Sequence, residues 1–397
     1  MAPLEARAID ARKLGAIAAA VGAAGAVALA IGIAVSPQRA LAAYLVAWTS
    51  ATTLAIGALA MLVIGYAANA RWPAAIRRIC EACAAALLPL AVLAIPLFVF
   101  ASDVWPWVDP QTPEIARAVA PKAAYLALPA FAIRTALYFV VFVVVTELLR
   151  AWSLRRDRVP EASVMPPGDA LDRERTLACA MMIPLGLAVT FAAFDWLMSL
   201  QPAWSSTVFG LYLTAGALAG GLALVIVVSW RATRARAVPL TGPHFHAMGR
   251  LLLAYSILWT YLAYFQAFLI QIADRPDEVT FFQARTLDGW RTVTLLLVAL
   301  RIALPFPLLM SRRLKHRPAY LGSVAIVAIA AHCVDMWWLV VPATPGRSPM
   351  PSWLDVAAFA CVFGLGLAAA AWRARGKPLV AAGDPYLEAA LAYRSKT

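Results

Sequence analysis

Charged residues and metal-binding side chains are scarce in this sequence. Only 14% of the 397 residues are charged and 63% are hydrophobic, against roughly 25% and 45–50% in soluble domains. This composition excludes a mainly soluble protein, which would need more charged surface. The chain has only four histidines and five cysteines, so few side chains could ligate a metal or a haem.

The cysteines and histidines lack the spacing of known redox sites. Cys80 and Cys83 stand at redox-motif spacing, but no second pair and no adjacent histidine follows. We predict two buried small residues on one helix face. Haem b needs axial histidines within helices, and only His332 lies deep in an apolar run, whereas His244 and His246 are predicted to be solvated at a helix start. With no glycine-rich phosphate loop either, the sequence predicts no cofactor and no metal in this chain.

Long apolar runs make up most of the chain. A transmembrane helix needs about 20 apolar residues, and ten runs meet this length. We number them as spans 1 to 10, covering residues 14–35, 41–69, 80–101, 123–149, 177–199, 206–230, 247–273, 290–311, 319–342 and 353–372. They predict an all-α integral membrane protein, with residues 1–397 forming a single polytopic domain.

The basic residues alternate along the chain. The net charge is +13, and 24 of the 34 Lys and Arg residues lie before span 1, after spans 2, 4, 6 and 8, or after span 10. Only 6 lie in the loops of the opposite side. This is the positive-inside pattern, and it places both termini in the cytoplasm. The basicity therefore indicates topology and contact with anionic membrane lipid, and we predict no nucleic-acid partner.

The stretch 194–221 is the centre of this interpretation. It reads FDWLMSLQPAWSSTVFGLYLTAGALAGG and places Asp195 near the end of span 5, before a turn and the start of span 6. We predict a transmembrane hairpin whose Trp196 and Trp204 lie at a membrane–water boundary. A carboxylate kept in an apolar span is costly and marks a functional site by default.

Other ionisable residues also fall within spans, where each mid-span charge costs about 2.5–3.5 kcal/mol and needs a partner away from lipid. We predict two ion pairs, Arg134 with Asp195 and Arg301 with Asp335. Glu147, near the cytoplasmic end of span 4, has no evident partner.

Two interpretations of these residues remain open. The pairs either hold helices in register, or they belong to a proton path with Asp195, His332 and Asp335 on its outer half and Glu147 on its inner half. The candidates for the path are Glu147, Asp195, His332, Asp335, Arg134 and Arg301.

The arrangement of these residues repeats along the chain. Spans 4 and 8 each carry a mid-span arginine and run into a basic loop, while spans 5 and 9 each reach an aspartate followed by tryptophan. We predict two four-helix bundles, spans 2–5 and 6–9, with spans 1 and 10 as two extra helices. Repeats of this kind place sites between their halves.

Span 7 combines aromatic residues with glutamines. Tyr264, Gln266 and Gln271 are candidates for a quinone-binding pocket. Packing of aromatic side chains between helices explains the same pattern.

Several blocks of the sequence resemble a known family. They are FDWLMSLQPAWSSTVFGLY, HFHAMGRLLLAYSILWTYLAYFQAFLI, an RPDE loop, RIALPFPLLMSRRLK, HCVDMWWLVVP and DPYLEAAL, in order from about Trp72 to the C-terminus. They are similar to the ActF subunit of bacterial alternative complex III, a quinol:cytochrome c (or high-potential acceptor) oxidoreductase, within the NrfD-like family. Two positions depart from the family pattern, because Ala247 stands where an Asp is usual and residues 271–274 replace a Trp-Tyr-Gly-Asn run.

This resemblance implies a fold of two four-helix bundles in the bacterial inner membrane. It implies three kinds of partner: a paralogous NrfD-like membrane subunit, an iron–sulfur subunit and c-type cytochrome subunits. The iron–sulfur clusters and haem c would be in these partners, quinol would be the substrate of the complex, and this chain would add a membrane unit and a proton route.

Two other functions stay open on the sequence. The repeat and the mid-membrane charges are also expected of a stand-alone secondary transporter, whose broken helices would occupy matched positions in the two halves. A purely structural membrane scaffold is the third interpretation.

Overall fold

The computed structural model describes residues 11–158, 171–344 and 348–394. Within these ranges all regular structure is helical and no strand is present. Ten helices are long and apolar enough to cross a membrane. The predicted all-α architecture with ten long apolar helices is confirmed for these ranges, and it suggests a multi-pass membrane protein.

The ten helices follow the predicted spans in order, and we label them α1 to α10. They cover Arg12–Val35, Pro37–Ala67, Arg77–Val99, Leu128–Arg156, Asp172–Leu200, Phe209–Arg234, Gly242–Ala273, Trp290–Met310, Pro318–Ala343 and Trp353–Ala374. The ends differ from the predicted limits by a few residues. The largest differences fall beside the longest predicted inner loop, 150–176.

Both ends of this loop between the predicted spans are helical. The helix α4 continues to Arg156 and α5 already begins at Asp172. An ion pair between Arg156 and Glu174 ties the two extensions together. The rest of the loop, 159–170, lies outside the described residues.

Two of the ten helices are interrupted. In α3, Pro89 and Pro96 cannot donate a backbone hydrogen bond, and each falls in the first turn of a new segment. In α8, the five residues around Arg301 form a π-helical turn, an irregularity that often marks functional sites. The α3 segments are Arg77–Ala84, Leu87–Val92 and Ile95–Val99.

The helices α2 and α6 form the centre of the molecule and pack against each other. Their backbones touch at Gly57 and Gly221. A Cβ atom added to Gly57 would lie 1.8 Å from the Ala217 carbonyl oxygen, and one added to Gly221 would lie 2.4 Å from the Gly57 carbonyl carbon. Glycine at this crossing lets two membrane helices approach more closely than any side chain would allow.

The helices α1 and α10 pair with each other along their length, and both also contact α2. Glycines again set the distance, since a Cβ on Gly25 would lie 2.4 Å from the Cys361 nitrogen. An ion pair between Arg39 and Asp355 joins the start of α10 to the start of α2. This pair of helices flanks the remaining eight.

The C-terminal tail folds back over the predicted cytoplasmic end. Asp384 forms a buried ion pair with Arg77, and the Ala390 carbonyl oxygen lies 2.8 Å from His244 Nε2. His244 and His246 are only 0% and 5% exposed, so the prediction that they are solvated is wrong for both. His244 is covered by the tail, whose docking place cannot be read from sequence order.

Candidate functional site

The first buried cluster is centred on Asp195, which is fully buried near the end of α5. Arg134 donates from Nε to Asp195 Oδ2 at 2.9 Å and from a terminal nitrogen to Oδ1 at 3.0 Å. Tyr138, one turn further along α4, donates its hydroxyl to Oδ2 at 2.8 Å. The predicted Arg134–Asp195 pair is confirmed, and its two parallel bonds are the strong bidentate form.

The Asp195 cluster reaches the molecular surface on one side. The Arg134 side chain keeps 21% of its area exposed, and its guanidinium lies 3.9 Å from the centroid of the Tyr125 ring. Tyr125 precedes α4 and so lies outside the ten long helices, and burial together with the Asp195 carboxylate raises its pKa above the ordinary value. The Asp195 carboxylate is therefore enclosed by protein, whereas the Arg134 side chain reaches the molecular surface.

The tryptophans of the 194–221 hairpin are interior residues. Trp196 is 1% exposed, donates to Thr135 Oγ1 at 3.1 Å and packs edge-on against Trp48. Trp204 is 2% exposed and stacks on Phe281 with ring centroids 4.0 Å apart. Neighbouring helices and the segment that follows α7 cover both rings, so these tryptophans pack inside the protein and do not face lipid. Their place at a membrane–water boundary stays a prediction.

The second cluster is centred on Asp335 of α9, which is also fully buried. Arg301 donates to Asp335 Oδ2 at 2.7 Å, and Tyr212 donates its hydroxyl to Oδ1. The Arg301 guanidinium lies 4.3 Å from the centroid of the Trp259 ring, a favourable cation–π distance. The predicted Arg301–Asp335 pair is confirmed, and four helices, α6 to α9, supply this cluster.

His332 extends the second cluster towards α2. Its Nδ1 lies 3.1 Å from an Arg301 terminal nitrogen and its Nε2 lies 2.7 Å from Thr53 Oγ1. Because a guanidinium only donates, Nδ1 must accept, so the ring is neutral and carries its proton on Nε2. That proton points at Thr53, whose own hydroxyl donates to the Thr49 carbonyl at 2.6 Å. A polar chain therefore runs from α2 through α9 and α8 to α6.

Two glycines of α6 make room for this cluster. A Cβ on Gly216 would lie 3.3 Å from an Arg301 terminal nitrogen, and one on Gly220 would lie 3.1 Å from the His332 ring. The run of small residues in the hairpin sequence therefore accommodates polar side chains as well as helix packing. The sequence did not indicate that Tyr212, Thr53 and Trp259 belong to this cluster. The only sequence feature that pointed to a cluster beside α6 was the four-residue spacing of Gly216 and Gly220.

Glu147 lies apart from both clusters, at the predicted cytoplasmic end. It forms an ion pair with Arg373 and approaches Arg150 to 3.6 Å, and its side chain is 37% exposed. The prediction that Glu147 has no partner is wrong. The partner escaped notice because Arg373 stands 226 residues further along the chain, at the end of α10.

Glu81 is a buried carboxylate that sequence reasoning did not select. It is 0% exposed, with Arg78 Nε 3.2 Å from one oxygen. Neither oxygen accepts an aligned hydrogen bond from the residues that the structure describes, because Arg78 donates instead to Ser153 at 3.0 Å and to Asp157 at 2.7 Å. The feature of the sequence that could have identified Glu81 is its place between Cys80 and Cys83, at the edge of a predicted span.

The predicted path residues thus form three groups. Arg134 and Asp195 lie in the first cluster, and Arg301, His332 and Asp335 lie in the second. No hydrogen bond between described residues joins Glu147 to either cluster.

The quinone candidates of α7 do not share one face. Tyr264 is 61% exposed and Gln271 is also exposed, whereas Gln266 is 7% exposed. Gln266 lines a cavity of about 440 Å³ together with Ser206 and Glu278. Only Gln266 of the three is placed inside the molecule.

A buried arginine supports the helix of the second cluster. Arg285, between α7 and α8, donates to the carbonyl oxygens of Trp338 at 3.0 Å and Leu339 at 2.9 Å. A cation at the C-terminal end of a helix is favourable for the helix dipole. Burial lowers the pKa of Arg285 to about 9, and no carboxylate of the described residues forms an ion pair with it. This residue holds the end of α9, one turn beyond Asp335.

The chain matches no protein-family model and no curated protein sequence. Within the described ranges, no group of three or more His, Cys, Asp or Glu residues is placed to bind a metal ion. The fold and site define a ten-helix protein with two buried Arg–Asp–Tyr clusters.

Proposed function

We propose that this chain is an integral membrane subunit of a respiratory quinol:cytochrome c (or high-potential acceptor) oxidoreductase of the alternative complex III type. It carries no redox centre of its own and contributes a proton route to the complex. The iron–sulfur and c-type cytochrome subunits, with a paralogous membrane subunit, are its partners in the bacterial inner membrane. Membership of the complex is supported by the ordered sequence blocks that resemble the ActF subunit.

The polar chain around Asp335 is the observation that carries the proton role. It joins a carboxylate, a neutral imidazole and two hydroxyl groups inside an apolar bundle. Buried ionisable groups of this kind are expensive in a membrane protein and mark proton relays and ion pathways. A purely structural pair would need only Arg301 and Asp335.

Arg301 controls this relay in the proposal. While its guanidinium faces both Asp335 and His332, the Nδ1 atom of His332 cannot take a proton. A shift of Arg301 towards Asp335 alone would free Nδ1, so that His332 could take up a proton there while its Nε2 proton stays hydrogen-bonded to Thr53. We place this shift at the π-helical turn that carries Arg301, since its hydrogen bonding departs from the regular helix.

We assign the inner half of the route to Glu81 rather than Glu147. Glu147 is partly exposed and shared between two arginines, an arrangement whose contribution is mainly structural. Glu81 is fully buried, and its oxygens accept no aligned hydrogen bond from described residues. Its ion-pair partner Arg78, 3.2 Å away, also donates to Ser153 and Asp157, so Arg78 keeps these bonds when Glu81 takes up or releases a proton.

The contacts support the proposed division into two four-helix bundles. Neighbouring helices contact one another within α2 to α5 and within α6 to α9, and the two groups meet where α6 packs against α2, α3 and α5 and where α9 packs against α2. Both Arg–Asp pairs lie on the last two helices of their group. The basic segments support a cytoplasmic position for both termini, by the positive-inside rule.

The transporter alternative has weaker support. Its mark would be broken helices at matched positions of the repeat. The helix α3 is broken, but its counterpart α7 runs as one helix over Gly242–Ala273. The scaffold alternative rests on the ion pairs alone and leaves the His332–Thr53 contact without a role.

Purification of the tagged chain from its native membrane tests this proposal. We expect c-type haem absorption and iron–sulfur signals to co-purify with it, together with quinol:cytochrome c activity. A chain that purifies without haem c and iron–sulfur subunits would reject the proposal. Solute transport by the chain alone in liposomes would favour the transporter.

A further inference from the structure

An apolar groove opens between the α1–α10 pair and the helices α2, α3 and α6. Its volume is about 340 Å³, within the range of about 300–1,000 Å³ for small-molecule sites. Along α10 it runs from Val362 to Ala374, a length of about 18 Å at 1.5 Å per residue. This matches the depth of one leaflet in a hydrocarbon core of about 30 Å.

The mouth of the groove is formed by the chain just after α10. Gly376 adopts φ +66°, a left-handed conformation that glycine takes without strain. The chain turns there, and Lys377 and Leu379 line the groove. A smaller recess beside it is lined by Lys377 as well, together with Arg150 and Arg373.

The mouth has more positive than negative charge. Arg150 and Arg373 share the single carboxylate of Glu147. Within the described part of the chain, Lys377 has no carboxylate within ion-pair distance. Burial and the neighbouring Arg150 and Arg373 lower the pKa of Lys377 below its ordinary value, as expected where several cations share one carboxylate.

We propose that this groove binds one anionic phospholipid, with an acyl chain along α10 and the phosphate against Lys377, Arg373 and Arg150. Basic pockets between membrane helices on the cytoplasmic side are suited to such headgroups. The headgroup of an isoprenoid quinone is uncharged and would leave the surplus cations unpaired. A zwitterionic lipid brings no net charge to offset them.

Lys377→Ala tests the headgroup contact. Native mass spectrometry of the full-length protein in detergent would compare phosphatidylglycerol with phosphatidylcholine of the same acyl chains. We expect preferential binding of one phosphatidylglycerol, weakened about fivefold in Lys377→Ala, since each basic residue near an anionic surface contributes about 1 kcal/mol. Arg375→Ala is the matched control, because Arg375 is exposed and does not line the groove.

Gly366→Leu tests the acyl-chain contact. Gly366 lines the groove, and a Cβ there meets no atom within 4 Å, so leucine fits the fold and fills the groove. Gly186→Leu is the control, because Gly186 has equal space and lies on a different cavity. We expect Gly366→Leu to lose the lipid and Gly186→Leu to retain it.

Three results would overturn the proposal. The first is equal binding of phosphatidylglycerol and phosphatidylcholine by the unmodified protein. The second is the same affinity in Lys377→Ala and Arg375→Ala. The third is the finding that the molecule lost in Gly366→Leu is a neutral quinone and not a phospholipid. None of these readouts depends on the proposed electron-transfer complex.

Discussion

Asp195 and Asp335 differ in the surroundings of their arginines. Both carboxylates are fully buried, but the side chain of Arg134 is 21% exposed and that of Arg301 is 6% exposed. If either aspartate loses its charge, its guanidinium is left unpaired. Arg134 can then turn towards solvent or headgroups, whereas Arg301 cannot.

We therefore expect Asp335→Asn to destabilise the protein more than Asp195→Asn. Removing one partner of a buried ion pair costs about 3–5 kcal/mol, while exposed pairs contribute about 0–1 kcal/mol, and Asp195 lies between these limits. Thermal unfolding midpoints in detergent would be compared, with the exposed Glu388→Gln as control. Equal losses for the two asparagine variants would contradict the different burial of the two clusters.

At the residue scale, the sequence predicted the two pairs because Arg and Asp in apolar spans have few possible partners. It could not predict Tyr212 or Thr53, since tyrosine and threonine are common in membrane helices and carry no cost that demands a partner. It also failed for Glu147, where the side chain that approaches it comes from the end of α10. The hydrophobic pattern of a sequence predicts its helices but not how they pack. It therefore cannot identify partners that come from distant segments of the chain.

At the element scale, the close crossing of α2 and α6 decides how the two halves meet. Gly57→Ala would place a Cβ 1.8 Å from the Ala217 carbonyl oxygen, so the two helices must move apart. We expect a large loss of stability, as for overpacked cores, which lose about 1–3 kcal/mol or more. The unfolding midpoint of the purified variant measures it.

Gly186→Ala is the control for this substitution. A Cβ at Gly186 meets nothing within 4 Å, and alanine favours a helix over glycine by up to about 1 kcal/mol. We expect unchanged or slightly raised stability. If Gly57→Ala behaves like Gly186→Ala, the helices are not in backbone contact at that point.

The existence and order of the elements were predictable because each needs only a long apolar run. The breaks in α3 have a cause that is visible in the sequence, because Pro89 and Pro96 cannot donate a backbone hydrogen bond. The π-helical turn around Arg301 was not predicted, because its sequence differs little from that of a regular helix. The burial of Trp196 and Trp204 was also missed, because tryptophan suits both a membrane boundary and an aromatic core.

At the scale of the whole molecule, two polar clusters occupy an otherwise apolar bundle in related places. Each places a carboxylate against one arginine and one tyrosine hydroxyl. Only the second cluster also reaches α2, through His332 and Thr53. The proposed proton route therefore crosses between the two halves at the second cluster.

The most direct test of this account measures proton translocation by the purified complex in liposomes. The quantity measured is the number of protons moved across the membrane per electron passed from quinol to cytochrome c. Tyr212→Phe removes only the hydroxyl that donates to Asp335 and keeps the Arg301–Asp335 pair. Tyr320→Phe is the control, because its hydroxyl bonds to the Leu308 carbonyl oxygen at 2.9 Å, away from the cluster. We predict fewer protons per electron in Tyr212→Phe, with electron transfer maintained when a protonophore is added, and no change in Tyr320→Phe. An unchanged proton ratio in Tyr212→Phe would contradict the assignment of the Asp335 cluster to proton transfer.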